Sequence, residues 1–182
     1  PEMNVCRRGK AELLQRCGIF ELNRISFTPP DRRPDQQFYV IEAPHSINVF
    51  PITADRQVLF IRQYRFGIED LTLEIPGGMC DPGETPRVAA GRELCEETGY
   101  VAAELSELGW VHPNPAIQTN RCYTFLAQQL TRIGEPQPDG NESFEQVRYS
   151  LVQVPELIAR GEITHALVVA AFRLLPAEEF ER

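Results

Sequence analysis

Acidic side chains crowd one short segment in the middle of the chain. Residues 74–100 read EIPGGMCDPGETPRVAAGRELCEETGY. At about 100° per residue, Glu93, Glu96 and Glu97 share one helical face, where like charges repel by roughly 0.2–0.5 kcal/mol per pair. They also sit in the last turn, where the helix dipole disfavours negative charge. A solvated acidic face is the commoner use of such a helix, but converging carboxylates at this unfavourable end suit a hard divalent cation such as Mg²⁺.

The residues around these glutamates predict where the helix begins and ends. Thr85 is a suitable N-cap, Pro86 suits the first helical position, and Gly99 is a typical stop after a helix body that ends near Thr98. Before the helix, residues 76–78 read Pro-Gly-Gly, which predicts a flexible turn. Its two glycines lack a Cβ, so its backbone can approach a ligand closely.

The elements that must position this helix are strands before it and a mixture of strands and helices after it. Runs of β-branched and aromatic residues predict strands at 19–27, 37–43, 47–53, 57–65, 72–75, 101–111, 121–129 and 144–151. Two helical patterns, at 154–162 and 164–175, close the chain. This order predicts an α+β fold, an α/β/α sandwich in which helices flank a mixed β-sheet.

Composition narrows the partners and the compartment. The 182 residues carry 18 basic against 26 acidic side chains and a net charge of −8, which argues against nucleic acid and an anionic membrane surface as partners. No apolar run is long enough for a membrane span, and the N-terminal residues lack the apolar core of a signal peptide. Five scattered cysteines form no C-x-x-C pair, so we expect a reducing, cytoplasmic location without disulfides or zinc.

The spacing of the acidic segment resembles the Nudix box. Gly78, five residues, Glu84, seven residues and then RELCEETGY at 92–100 match the pattern G-x5-E-x7-R-E-U-x-E-E-x-G-U. Tyr100 stands where the family more often has an aliphatic residue. A match at so many fixed positions is far more specific than a lone glycine motif.

The resemblance implies a Nudix fold and a hydrolase that splits a nucleoside diphosphate linked to a further group, with Mg²⁺ or Mn²⁺ as cofactor. The implied metal ligands are the carbonyl of Gly77 and the carboxylates of Glu93, Glu96 and Glu97. Arg92 is expected to take part in catalysis by orienting these glutamates through charge-assisted hydrogen bonds. Glu84 is expected to support the loop rather than to bind the metal.

Residues outside the box are similar to those of ADP-ribose pyrophosphatases and nucleoside diphosphate sugar hydrolases. The similarity lies in RQYR at 62–65, LEIPGG at 73–78 and Pro115. It implies hydrolysis of ADP-ribose or a nucleoside diphosphate sugar to a nucleoside monophosphate and a sugar phosphate. The expected substrate-binding residues are Arg65, Glu74, Gly78 and Asn120.

One of these positions departs from the subfamily. Many ADP-ribose pyrophosphatases read P-G-x-x-x-E where this chain has PAIQTN at 115–120. Asn120 cannot act as a base, so its expected role is a hydrogen bond to substrate. The departure leaves room for a nucleotide sugar other than ADP-ribose.

If the box glutamates are all occupied by metal, the general base is expected on a loop that closes over substrate. Glu142 and Glu145 are similar to an E-x-x-E found after the longest loop of some ADP-ribose pyrophosphatases. Glu142 is the first choice and Glu145 the second. A box glutamate, Glu93 or Glu96, is the third.

The resemblance also implies a homodimer in which N-terminal strands build part of the partner's site. We therefore expect an N-terminal strand region at 1–45 that contributes to the dimer interface and a Nudix domain at 46–182. Two alternatives to an enzyme that hydrolyses nucleotide sugars remain open. One is a Nudix-fold sensor that binds a nucleotide sugar without turnover, and the other is a hydrolase of RNA 5′ ends, which the negative charge disfavours.

Overall fold

The computed structural model describes residues 5–31, 33–137 and 144–181. The chain divides into two compact units. The first comprises Pro1–Pro44 with His112–Arg121, and the second comprises His45–Val111 with Cys122–Arg182. None of the described helices is both long and apolar enough to cross a bilayer.

The first unit is built on a three-stranded antiparallel sheet. Its strands are β1 (Arg7–Arg16), β2 (Glu21–Thr28) and β3 (Gln36–Glu42), in the order β1-β2-β3. All ten residues of β1 are exposed. The sequence analysis missed β1 because RRGKAELLQR has few β-branched or aromatic residues, and pairing with β2 forms the strand despite that composition.

The second unit contains two sheets. In the four-stranded sheet, β4 (Ser46–Pro51) lies between β7 (Gly77–Met79) and β9 (Cys122–Arg132), and β8 (Tyr100–Val111) forms the outer edge beyond β9. The β4–β9 pair is parallel and the other pairs are antiparallel. In the three-stranded sheet, β5 (Gln57–Arg65) lies between β10 (Phe144–Ser150) and β6 (Asp70–Glu74), with both pairs antiparallel.

The helix of the acidic segment begins and ends as predicted. Helix α1 spans Pro86–Thr98; the Thr85 hydroxyl accepts a hydrogen bond from the Val88 amide at 3.4 Å, and Gly99 takes a left-handed conformation with φ of 73°. That conformation is costly for any residue with a Cβ, which explains the glycine.

The C-terminal helices are shorter than predicted. They are α2 (Val154–Ala159), α3 (Ala166–Leu174) and α4 (Glu178–Glu181), and a 3-10 turn at Leu151–Gln153 precedes α2. The prediction of a helix at 154–162 was too long because Gly161, with φ of 73°, ends the helical path. The sequence analysis did not predict α4.

Strand β4 carries cores on both of its faces. Ile47 and Val49 pack with Leu94 of α1. Because successive side chains of a strand point to opposite faces, Phe50 packs on the other side against Phe172 of α3, with ring centroids 4.7 Å apart. Helices therefore cover both faces of the sheet, and the prediction of an α+β fold with an α/β/α sandwich is confirmed.

The prediction of a flexible Pro-Gly-Gly turn was wrong. Gly77 begins β7, which pairs antiparallel with β4. A Cβ at Gly77 would overlap the backbone oxygen of Ile47. The glycine is required for close strand contact rather than for mobility.

Candidate active site

The guanidinium of Arg92 lies among three carboxylates of the acidic segment. Its Nε and Nη2 donate to the two oxygens of Glu84 at 3.1 and 3.0 Å. Its Nη1 donates to Glu93 Oε1 and to Glu96 Oε2, both at 2.9 Å, and Nη2 also donates to the carbonyl of Met79 at 3.0 Å. The repulsion expected between the glutamates is therefore offset by one shared cation.

This sharing stabilises the charged forms of both partners. Hydrogen bonding to Glu84 raises the pKa of Arg92 despite partial burial, and hydrogen bonding to Arg92 lowers the pKa of Glu84 below its ordinary range. The Glu84 carboxylate also accepts a hydrogen bond from the Asp81 amide at 2.9 Å. Glu84 thus fastens the loop before α1, in line with the loop-supporting role expected for it.

The last turn of α1 lies against β7 at two glycines. The Gly77 amide donates to Glu97 Oε2 at 2.8 Å, and Glu97 is buried. A Cβ at Gly78 would overlap the carboxylate of Glu93, so a larger residue there would displace that side chain from its observed position. The fold therefore brings together Gly77, Gly78, Glu93 and Glu97, as the motif predicts.

The donor set of this region fits a hard divalent cation. Its side-chain donors are carboxylate oxygens, the ligands that Mg²⁺ and Mn²⁺ prefer. Within the three described ranges, no group of three acidic, histidine or cysteine side chains is already spaced to enclose an ion. Arg92 supplies positive charge to Glu84, Glu93 and Glu96 in this arrangement.

Hydrogen bonds from outside the helix also satisfy the carboxyl end of α1. The Gln137 amide donates to the Glu96 carbonyl at 2.7 Å, and Gln146 Nε2 donates to the Glu97 carbonyl at 2.8 Å. The sequence analysis missed both residues, because neither belongs to the motif.

A second arginine centre lies on the β5–β6 pair. Arg65 Nε and Nη2 donate to the two oxygens of Glu74, each at 2.7 Å, and the Thr72 hydroxyl also donates to Glu74. Burial of Glu74 opposes its ionisation, yet the hydrogen bonds from Arg65 and Thr72 lower its pKa overall. Glu74 therefore fixes the orientation of Arg65, whose side chain is 39% exposed.

Strand β10 pairs another candidate residue with β5. Glu145 stands opposite Arg62, and Arg62 Nη1 lies 2.7 Å from Glu145 Oε2. The Glu145 side chain is 64% exposed. Glu142 lies outside the described residues.

Asn120 belongs to the first unit and the box belongs to the second. The backbone carbonyl of Asn120 is 3.3 Å from His112 Nδ1, which donates in the tautomer that carries its proton there. The Asn120 side-chain oxygen is buried, and no described donor reaches it. Its predicted substrate contact stays a prediction.

Asn48 is a further polar residue that the sequence analysis missed. It is buried in β4, and its Nδ2 donates to the Leu167 carbonyl of α3 at 3.1 Å. Its Oδ1 would lie 2.9 Å from a Cβ at Gly77. An asparagine within the apolar run INVF was the available signal, since an unpaired amide is costly in a core.

Comparisons with known proteins agree with this geometry. A family profile described as the NUDIX domain matches residues 43–172. The ADP-ribose pyrophosphatase of Bacillus subtilis (strain 168) is 28% identical over 141 residues, which cover 77% of this chain and 76% of the relative. The ADP compounds hydrolase NudE of Escherichia coli (strain K12) is 32% identical over 134 residues, covering 71% and 69%. A crystal structure of an ADP compounds hydrolase superposes with a TM-score of 0.84 at 25% identity, covering 96% of this chain and 94% of that one.

Proposed function

The chain belongs to the Nudix family of hydrolases, and from this premise we propose that it cleaves the pyrophosphate of ADP-ribose or a related nucleoside diphosphate sugar. The products are a nucleoside monophosphate and a sugar phosphate. The observation that carries the proposal is the complete set of box contacts, in which Arg92 holds Glu84, Glu93 and Glu96 while Gly77 holds Glu97. Relatives named for ADP-ribose and ADP compounds support the substrate class.

The proposed cofactor is Mg²⁺ or Mn²⁺. The ligands would be the carboxylates of Glu93, Glu96 and Glu97 and the carbonyl of Gly77. A bound divalent ion neutralises charge on the phosphoryl oxygens and lowers the pKa of a bound water. The residues of the chain contribute by arranging oxygen donors in advance, with Arg92 and the Gly77 amide as the groups that orient them.

Arg65 is the proposed contact to a substrate phosphate. Its planar guanidinium is fixed by two bonds to Glu74 while its side chain stays partly exposed. A guanidinium oriented in this way suits the forked geometry of phosphate oxygens. In this proposal Glu74 acts on substrate through Arg65, while Gly78 and Asn120 remain proposed direct contacts.

We keep Glu142 as the proposed general base and Glu145 as the second choice. The pairing of Glu145 with Arg62 supports this order, because a base at 145 would first have to leave its partner. Glu142→Gln is expected to lower kcat by roughly 10²–10⁴-fold with little change in substrate affinity. Glu145→Gln is expected to do less; the reverse order would move the role to Glu145, and small effects from both would return it to Glu93 or Glu96.

A homodimer is the proposed assembly. The first unit leaves large apolar side chains exposed, among them Leu13, Phe38 and Tyr39, and such surfaces mark protein interfaces. Deletion of residues 1–34 should abolish activity although the box is retained. A full-length protein that is monomeric by light scattering and fully active would contradict this proposal.

Product analysis tests the proposed reaction. The protein is incubated with ADP-ribose, a panel of nucleotide sugars and a capped RNA, each with Mg²⁺ and with excess chelator. Release of nucleoside monophosphate from a member of the first two groups, only with the metal, is the expected result. Binding without product would favour the sensor, and release from capped RNA alone would favour the RNA 5′-end hydrolase. Glu97→Gln is the matched inactive control.

A further inference from the structure

The carboxyl end of α1 is completed by residues far away in the sequence. The last carbonyls of a helix lack partners within the helix and need donors from elsewhere. The Gly99 amide donates to the Cys95 carbonyl at 2.8 Å. The Gln137 amide donates to the Glu96 carbonyl, and the side chain of Gln146 donates to the Glu97 carbonyl. The Gln146 bond differs from the other two because its donor is a side chain rather than a backbone amide.

The register of β10 determines that Gln146 reaches the helix. Val147 and Tyr149 of β10 pack against the apolar cluster that contains Phe60 and Phe172. Neighbouring side chains on a strand point to opposite faces, so Gln146 points away from that cluster. Its amide donates to Glu97 at 2.8 Å, with the pair partly buried.

Gln146 therefore joins two parts of the proposed active site. Within β10 it stands opposite Ile61 of β5, the strand that ends at Arg65. Its side chain donates a hydrogen bond to the backbone carbonyl of Glu97, and the Glu97 carboxylate accepts a second hydrogen bond from the Gly77 amide. Glu97 is thus fastened at its backbone and at its side chain by two different elements.

We propose that Gln146 is a positioning residue of the reaction, which fixes the Glu97 peptide and so the direction in which the Glu97 carboxylate meets a divalent cation. This inference rests on the proposed function, since it concerns the same metal ligands. Groups that orient metal ligands typically change metal affinity or activity by about 10–100-fold when they are removed. The carboxamide also places partial positive charge at the negative pole of α1, where the glutamates concentrate negative charge.

A structural role alone would give a different result, and Gln153 provides the matched control. Its carboxamide accepts a hydrogen bond from the Ser150 amide at 2.9 Å, at the opposite end of β10. Both glutamines make one bond between a carboxamide and the backbone. Of the two, only Gln146 makes its bond to α1.

The experiment measures Mn²⁺ binding by electron paramagnetic resonance, with no substrate present, for the wild type, Gln146→Met and Gln153→Met. Thermal unfolding is followed on the same samples. We expect Gln146→Met to weaken Mn²⁺ binding by about 10–100-fold, and Gln153→Met to stay within about twofold of the wild type.

Equal Mn²⁺ affinity of Gln146→Met and the wild type would overturn the inference. Equal losses in Gln146→Met and Gln153→Met would also overturn it. If Gln146→Met gives no cooperative melting transition, Gln146→Leu, which removes the donor without adding a charge, takes its place. A wild type that binds Mn²⁺ but hydrolyses no nucleotide sugar would defeat the proposed function alone.

Discussion

Two regions of the second unit each hold an arginine among carboxylates, and they are balanced differently. At α1 and the loop before it, the guanidinium of Arg92 is shared by the carboxylates of Glu84, Glu93 and Glu96. On the β5–β6 pair, the guanidinium of Arg65 donates two hydrogen bonds to one carboxylate, that of Glu74. The first region gathers carboxylates that we propose as metal ligands. In the second, the hydrogen bonds to Glu74 orient a guanidinium that stays partly exposed and that we propose as a phosphate contact.

Glu97→Gln should give the largest effect, because it changes a proposed metal ligand. Glutamine keeps an oxygen that can accept the Gly77 hydrogen bond, yet it removes the negative charge. We expect turnover to fall by about 10²-fold or more, because metal stabilisation supplies several kcal/mol of the barrier reduction. Steady-state rates at saturating Mg²⁺ check this, with melting curves as the control for folding. Near wild-type turnover would refute the ligand assignment.

Arg92→Gln should lower the stability of the folded protein, because α1 and the loop before it lose the guanidinium that their carboxylates share. Without the guanidinium, the carboxylates of Glu84, Glu93 and Glu96 stay close together and lose the positive charge that they share. We expect the free energy of unfolding at neutral pH, in chelator, to fall by about 1–3 kcal/mol. Urea denaturation measures the change.

The control for this variant is Arg160→Gln. Arg160 pairs with Glu156 and Glu162, and its side chain is 63% exposed. Its loss should cost less than about 0.5 kcal/mol. Equal losses of unfolding free energy in the two variants would show that the Arg92 guanidinium stabilises the fold no more than an exposed ion pair does.

Arg65→Lys tests the second arginine, which lies on the β5–β6 pair. Lysine keeps the charge but cannot make two parallel bonds to Glu74 or to a phosphate. We expect KM for the nucleotide sugar to rise by roughly tenfold with a smaller change in kcat. Arg62→Lys, at an exposed cross-strand ion pair, is the matched control. A larger effect on kcat than on KM would place Arg65 in transition-state stabilisation instead of phosphate binding.

The acid dependence of stability gives the smallest expected effect. The folded protein lowers the pKa of Glu74 below its ordinary value of 4.5, so the ionised carboxylate stabilises the folded state above that value. This contribution is lost as the pH falls through the lowered pKa. As the pH falls below the ordinary value of 4.5 and through the lowered pKa, the wild type should therefore lose unfolding free energy more steeply than Glu74→Gln.

The same pH series separates Glu74 from Glu84. The pKa of Glu84 is also lowered, mainly by its hydrogen bond to Arg92, and Glu84 is present in both proteins. The difference between the two curves therefore reports Glu74. Parallel curves would show that the Arg65–Glu74 pair adds no acid-sensitive stability.

Local chemistry explains what the sequence could predict. The limits of α1 follow from Thr85, Pro86 and Gly99, whose preferences act within a few residues. The position of Glu93 and Glu96 on one helical face, where both accept hydrogen bonds from Arg92, follows from helical periodicity. These parts of the fold and of the candidate site required no knowledge of distant contacts.

Distant pairing explains what was missed. Strand β1 forms against β2 in spite of its composition, and Gly77 belongs to a strand because β4 lies beside it. The bond from Gln146 to Glu97 depends on the register of β10 with β5. Side-chain chemistry within a short window contains no information about these partners.

The parallel pairing of β4 with β9 has a consequence for synthesis of the chain. Strand β4, its antiparallel neighbour β7 and helix α1 all leave the ribosome before β9 does. Until then, the edge of β4 from Ser46 to Pro51 lacks the neighbour that it has in the finished sheet. An unpaired apolar edge is a template for association between chains. A nascent chain halted after α1 should therefore bind a holdase chaperone, and one extended through Arg132 should bind it less.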